Sequence, residues 1–142
     1  MLYLDTSVLV PLFVPEPDSD SIRRWFDRQT EQALAISDWT LTEFASAMGI
    51  KVREKNLKPA LARKACELMN ALAAESLQVF TPTRADHVSA SRFLDQHALG
   101  LRAGDALHLG VASNQGATAF HTLDRRLLDA GGKLGIKTQS PV

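Results

Sequence analysis

Short apolar runs alternate along the chain with longer stretches in which apolar residues recur every three to four positions. Four runs have the length and composition of strands: Leu2-Tyr3-Leu4, Ala33 to Ile36, Leu77 to Phe80 and Thr118 to Phe120. A weaker fifth lies around Ile136 to Thr138. Each is separated from the next by helical sequence. Ser37 is suited to cap a helix that runs to about Lys55, with Leu41, Phe44, Ala45, Met48 and Val52 on one face. Pro59 suits the first turn of the next helix, whose expected apolar face is Leu61, Ala65, Leu68, Met69 and Leu72. Thr83, with Asp86 three residues on, resembles a capping box opening a helix that carries Val88 and Phe93. Pro15-Glu16-Pro17 and Gly131-Gly132 read as turns.

Parallel strands need long crossover connections, usually helices, so the alternation predicts an α/β fold. The expected architecture is three-layer α/β/α, with a central parallel sheet of four to five strands. No internal repeat, low-complexity tract or linker divides the chain. Its 142 residues suit one domain spanning 1–142, a size that buries roughly 70% of the unfolded surface.

Composition narrows the function classes. The chain is 45% hydrophobic and 23% charged, as in ordinary globular proteins, which argues against disorder. The longest apolar stretch, Val8 to Val14, contains Pro11 and falls far short of the ~20 residues of a membrane-spanning helix. The N-terminus enters an apolar run with no basic segment ahead of it, unlike a secretory signal, so a cytoplasmic location is expected. Cys66 is the single cysteine, which rules out an internal disulfide and fits a reducing compartment. Lysine plus arginine equals aspartate plus glutamate at 16 each, so attraction for nucleic acid has to be local. The densest basic stretch runs from Lys51 to Lys64; it reads equally as a solvated helical face or as such a local contact.

Four carboxylates fall where an α/β sheet presents its ligand-binding edge. Asp5 directly follows the first strand, where the chain leaves the carboxyl end of the sheet. Thr6 and Ser7 come next, with hydroxyls suited to cap a helix or to support the carboxylate. Glu43 lies close to the apolar face of its helix, among Leu41, Phe44 and Ala45, where a carboxylate needs a partner, a cation or access to water. Asp105 falls in the first turn of a helix opening near Arg102, a position the helix dipole also favours. Asp124 follows the fourth strand and equally reads as the N-cap of the last helix. Like charges at this density repel unless a cation is present or some are protonated. An oxygen-only set suits a hard divalent ion, magnesium or manganese, and such an ion supports hydrolysis of a phosphodiester.

The competing chemistries are weaker. His87, His97, His108 and His121 lack zinc-type spacing and cysteine partners, so no zinc site is expected. His108, three residues beyond Asp105, is expected to be a core or supporting group and not a ligand. Neither a glycine-rich phosphate loop nor a serine nucleophile elbow is present.

The ordered set Leu2-Tyr3-Leu4-Asp5-Thr6-Ser7, Ser37-Asp38-Trp39-Thr40-Leu41-Thr42-Glu43, Leu101-Arg102-Ala103-Gly104-Asp105-Ala106 and Thr122-Leu123-Asp124-Arg125-Arg126-Leu127 resembles the acidic motifs of PIN domains in order and spacing. Each motif alone is weak and the ordered set is strong. The compact length makes the chain most similar to VapC-type toxins of bacterial toxin-antitoxin pairs. The resemblance implies a magnesium-dependent endoribonuclease, often a homodimer, silenced by a partner antitoxin. Motif by motif, it makes Asp5, Glu43 and Asp105 the metal-site acids and Asp124 the fourth and most variable one, with Thr6 or Ser7 in support. Two alternatives stand beside the toxin: a PIN nuclease of RNA maturation, with the same chemistry, and a receiver-like magnesium-binding module. The second conflicts with Thr6, where a receiver typically has a neighbouring acid, and with Phe80-Thr81-Pro82 where it has its phosphoacceptor.

Overall fold

Side chains in the first strand alternate between two cores, and this alternation sets the layers. In the computed structural model, which describes residues 1–142, β1 (Leu2–Leu4) turns Leu2 and Leu4 to one face of the sheet and Tyr3 to the other. In β2 (Leu34–Ser37), Leu34 and Ile36 join the first face and Ala35 the second. Completing the sheet are β3 (Gln78–Phe80), β4 (Ala119–His121) and the short β5 (Thr138–Gln139). All neighbours are parallel, in the order β3-β2-β1-β4-β5.

Four helices supply the first face: α1 (Thr6–Phe13), α2 (Ser19–Asp27), α3 (Asp38–Arg53) and α4 (Pro59–Ser76). Their buried contributors include Val8, Ile22, Phe44 and Met69. The opposite face is covered by α5 (Arg84–Leu94), α6 (Ala103–Asn114) and α7 (Arg125–Lys133), through Ala90, Leu109 and Leu127 among others. The result is the expected three-layer α/β/α arrangement, with five strands. No helix is long and apolar enough to cross a membrane.

β1 lies between β2 and β4, so the chain leaves it on one face and returns beside it from the other. This switch point opens a crevice at the carboxyl ends of β1 and β4, the place where ligands bind in open α/β sheets. Asp5, Thr122 and Asp124 are all in the segments that leave these two strands.

Several local expectations need correction. Gly131-Gly132, read as a turn, lies inside α7. A Cβ at Gly131 would come within 2.3 Å of Thr138 Cγ2, so the missing side chain lets α7 approach β5 closely. On α4 the buried face is Ala62, Ala65, Met69 and Ala73, while Leu61 and Leu68 are 55% and 45% exposed. Small alanines let α4 lie close to α3, which rotates the larger leucines outward. Ala45 is exposed for a related reason: α3 buries Thr40, Phe44 and Met48 instead. Val88 on α5 is also exposed, whereas Phe93 packs against the second core. β5 begins at Thr138, later than the run of apolar residues suggested.

Candidate active site

Asp5 stands between β1 and α1 with extended backbone angles and caps the helix. Its Oδ2 accepts hydrogen bonds from Ser7 Oγ at 2.6 Å, Thr122 Oγ1 at 2.7 Å and, more weakly, Ser7 N at 3.4 Å. Ser7 Oγ in turn accepts from Leu123 N at 2.9 Å, which ties the start of α1 to the segment after β4. One carboxylate oxygen is thus fully engaged, and the buried Asp5 side chain has little freedom to turn. The Ser7 hydroxyl thus supports the acid, whereas the cap of α1 is Asp5 itself and not the hydroxyl of Thr6 or Ser7.

Glu43 comes from the second turn of α3. Its Oε2 accepts from Thr6 Oγ1 at 2.6 Å and lies 2.9 Å from His108 Nε2. Burial pushes the Glu43 carboxyl up, but the hydrogen bond and charge of His108, with the Thr6 hydroxyl, outweigh it and hold the group below the usual glutamate range. Asp105 lies in the first turn of α6 and moves in the opposite direction. Burial raises it, and the charges of Asp5, Asp124 and Glu43 raise it further, against a backbone hydrogen bond at Arg102. This pattern is what a group of carboxylates does when no cation balances it.

Asp124 caps α7, its Oδ1 accepting from Arg126 N at 2.8 Å and Leu127 N at 3.4 Å. Its Oδ2 lies 3.8 Å from the exposed Arg126 guanidinium, and its charge is among those that raise Asp105. Asp5, Glu43, Asp105 and Asp124 line one open cleft of about 390 Å³, with Ser7 and Ile50 on its walls. The four acids expected from the sequence are therefore brought together in one cleft.

Two contributors, Tyr3 and Thr122, were not expected from the sequence, whereas His108 was expected as a core or supporting group. His108 is fully buried, and Asp5, Glu43 and His108 each offer a ligand-type atom, all within 4.8 Å of one another. Its position one helical turn beyond Asp105 was the available signal. Tyr3 and Thr122 also reach the site, and the signal for Thr122 was its place two residues before Asp124, whose backbone N–H donates to its hydroxyl at 3.0 Å. Of the basic stretch, Lys51 forms an ion pair with Glu16 and Lys64 lies 3.6 Å from Glu67 across a turn of α4, while Arg53, Lys55, Lys58 and Arg63 are exposed.

The donor set fits a divalent cation. Carboxylate oxygens converge on a cleft open to water, and the repulsion that raises Asp105 is relieved by positive charge.

Comparison with known proteins agrees with this geometry. The chain is 29% identical to "Ribonuclease VapC47" of Mycobacterium tuberculosis (strain CDC 1551 / Oshkosh), over 99% of its own length and 97% of that protein. It is 30% identical to "Ribonuclease VapC35" of the same species, with the same coverage. Its fold is similar to the crystal structure of VapC20 of Mycobacterium tuberculosis, described as a "Sarcin-Ricin loop cleaving toxin", with a TM-score of 0.73, 17% identity, and coverage of 92% of this chain and 95% of that one. VapBC2 from Rickettsia felis, solved on a promoter DNA fragment, matches with a TM-score of 0.73 and 17% identity over 99% of this chain and 98% of that one. The PIN domain family matches residues 2–133, and with that span and the 30% relative the chain belongs to the PIN domain family.

Proposed function

We propose that this protein is an endoribonuclease dependent on magnesium or manganese, and the toxin of a toxin-antitoxin pair acting in the cytoplasm. The observation that carries this reading is the convergence of Asp5, Glu43, Asp105 and Asp124 on one open cleft at the switch point of the sheet. Asp5, Glu43 and Asp105 would hold the ion, with Asp124 contributing as the fourth acid. When bound, such an ion lowers the pKa of water and neutralises the charge that develops during in-line attack on a phosphodiester. The residues themselves do the positioning. Ser7 and Thr122 fix one oxygen of Asp5 and so orient the other, and Thr6 and His108 lower the pKa of Glu43. Burial and the neighbouring carboxylates raise Asp105, and an arriving cation would offset that rise.

The ribonuclease names of the relatives support RNA as substrate, and the solved VapBC complexes support an antitoxin as partner. A homodimer is expected from the same family. A nuclease of RNA maturation would share the chemistry, and a small antitoxin-like reading frame immediately upstream of the gene separates the two roles.

The experiment is incubation of purified protein with total cellular RNA in magnesium, manganese, zinc or excess chelator, with analysis of the product ends. Cleavage should need magnesium or manganese, respond poorly to zinc, and leave 5′-phosphate and 3′-hydroxyl ends. Full cleavage by metal-free protein in chelator, or mainly 2′,3′-cyclic ends, overturns the reading.

A further inference from the structure

Beneath the cleft, side chains from β2, β1, α6, α3 and α1 form one hydrogen-bonded line. Tyr3 Oη lies 2.8 Å from Ser37 Oγ and 3.1 Å from His108 Nδ1. His108 Nε2 lies 2.9 Å from Glu43 Oε2, which also accepts from Thr6 Oγ1. Ser37, Tyr3 and His108 are completely buried, so none of them can touch an RNA lying in the cleft. Burying these polar groups is unfavourable unless their bonds are made, and here they are made with one another and with the acid.

The chemistry of the line has a direction. Carboxylate oxygens accept, and Glu43 Oε2 accepts from Thr6 Oγ1 and faces His108 Nε2 at 2.9 Å, so the proton of that second contact belongs to Nε2. Tyr3 engages the opposite nitrogen, and turning the ring over would break both contacts. The same Nε2 is 3.6 Å from Asp5 Oδ1, which places one imidazole N–H between two acids of the cleft. A ligand role would need a lone pair on that nitrogen, and magnesium in particular prefers oxygen.

We propose that His108, braced by Tyr3 and Ser37, is a positioning residue that fixes the Glu43 carboxylate for a divalent cation and is not itself a ligand. The proposal rests on the metal-dependent reading above. It assigns a function to three buried residues that touch neither the ion nor the substrate, in the way outer groups commonly orient metal ligands.

The test is direct Mn²⁺ binding, read as loss of the free-ion electron paramagnetic resonance signal, so it does not depend on nuclease activity. Tyr3→Phe deletes only the hydroxyl and keeps the ring stacked on Phe120, centroids 5.6 Å apart. It should weaken Mn²⁺ binding about 10- to 100-fold, with KM for RNA at saturating metal unchanged. A purely structural role lowers the melting temperature and leaves Mn²⁺ affinity at the wild-type value, which overturns the proposal. Should Tyr3→Phe not fold, His108→Gln against His108→Leu decides: glutamine offers an N–H toward Glu43, so it should recover part of the affinity that leucine loses. Equal affinity in the two variants overturns the proposal. In ¹⁵N spectra of the magnesium-saturated protein, His108 Nε2 should keep its proton; loss of that proton makes it a ligand and refutes the assignment. Wild-type protein that binds Mn²⁺ but cleaves no RNA defeats the nuclease reading alone, whereas wild type that binds no Mn²⁺ defeats this inference.

Discussion

Thr6 Oγ1 donates to Glu43 Oε2 over 2.6 Å, so the residue after the first acid is tied directly to the second one. Together with His108 it lowers the Glu43 pKa, while burial and like charge raise that of Asp105. Opposite shifts have opposite effects on the metal-free protein. A depressed carboxyl stabilises the fold above its unfolded pKa, and the gain is lost as pH falls through the folded value. A raised carboxyl costs stability once pH exceeds its folded value, and the cost disappears below the unfolded one. In chelator at neutral pH, Glu43→Gln should therefore melt below wild type and Asp105→Asn above it. Both differences should shrink as pH is lowered through the carboxylate range. Thermal melts across pH check this, and two differences of the same sign would contradict it.

Asp5→Asn keeps shape while removing one charge from the cleft. Cleavage should fall by at least ~100-fold, on the scale of the several kcal/mol that a metal site supplies. The metal-free fold should be as stable as wild type or more so, because repulsion on Asp105 is relieved. Ser7 and Thr122 can still donate to the amide oxygen. Cleavage assays and the rise in melting temperature on adding magnesium measure both halves; near-normal cleavage with an unchanged metal response removes Asp5 from the site.

Gly104→Ala acts on Glu43 by direct contact from the first turn of α6. A Cβ there would lie 3.0 Å from Glu43 Oε1 and from Trp39 Cζ2, so one of them has to give. Glu43 cannot yield freely while Thr6 and His108 hold its other oxygen. Alanine favours the helix by up to about 1 kcal/mol over glycine, which offsets part of the strain. The expected variant is folded, melts close to wild type and cleaves about tenfold more slowly. Wild-type cleavage would mean that the Glu43 position does not set the rate.

Gly131→Ala should do the reverse. The new Cβ meets Thr138 Cγ2 at 2.3 Å, and α7 and β5 must separate, at a cost of about 1–3 kcal/mol typical of overpacking. Because this contact is at the sheet edge away from the cleft, cleavage per folded molecule should be unchanged. Denaturant melts and active-site titration separate the two quantities.

These contrasts show where sequence was sufficient. Asp5, Asp105 and Asp124 were legible because each sits next to a strand end or a helix start, and Glu43 because it lies close to the apolar face of its helix; all are local patterns. Strand spacing and the caps at Pro59 and Thr83 were legible for the same reason. Which face of α4 is buried was not, since the answer depends on alanines packing against α3 and not on where the leucines fall. Gly131 read as a turn because its actual cause, Thr138, comes from another element. The bracing of His108 was hidden by distance: its partner Tyr3 is 105 positions away, and only the β1-β4 pairing and the packing of α6 bring the two rings together.

The central position of β1 also bears on synthesis. Asp5 is made before β4, the strand that borders it, and before Thr122, which holds its carboxylate, because both follow residue 118. Glu43 likewise waits for His108. A polypeptide interrupted between residues 43 and 105 has its first two acids but no assembled cleft. The cleft is therefore completed only when β4 and Asp124 have joined the residues made before them.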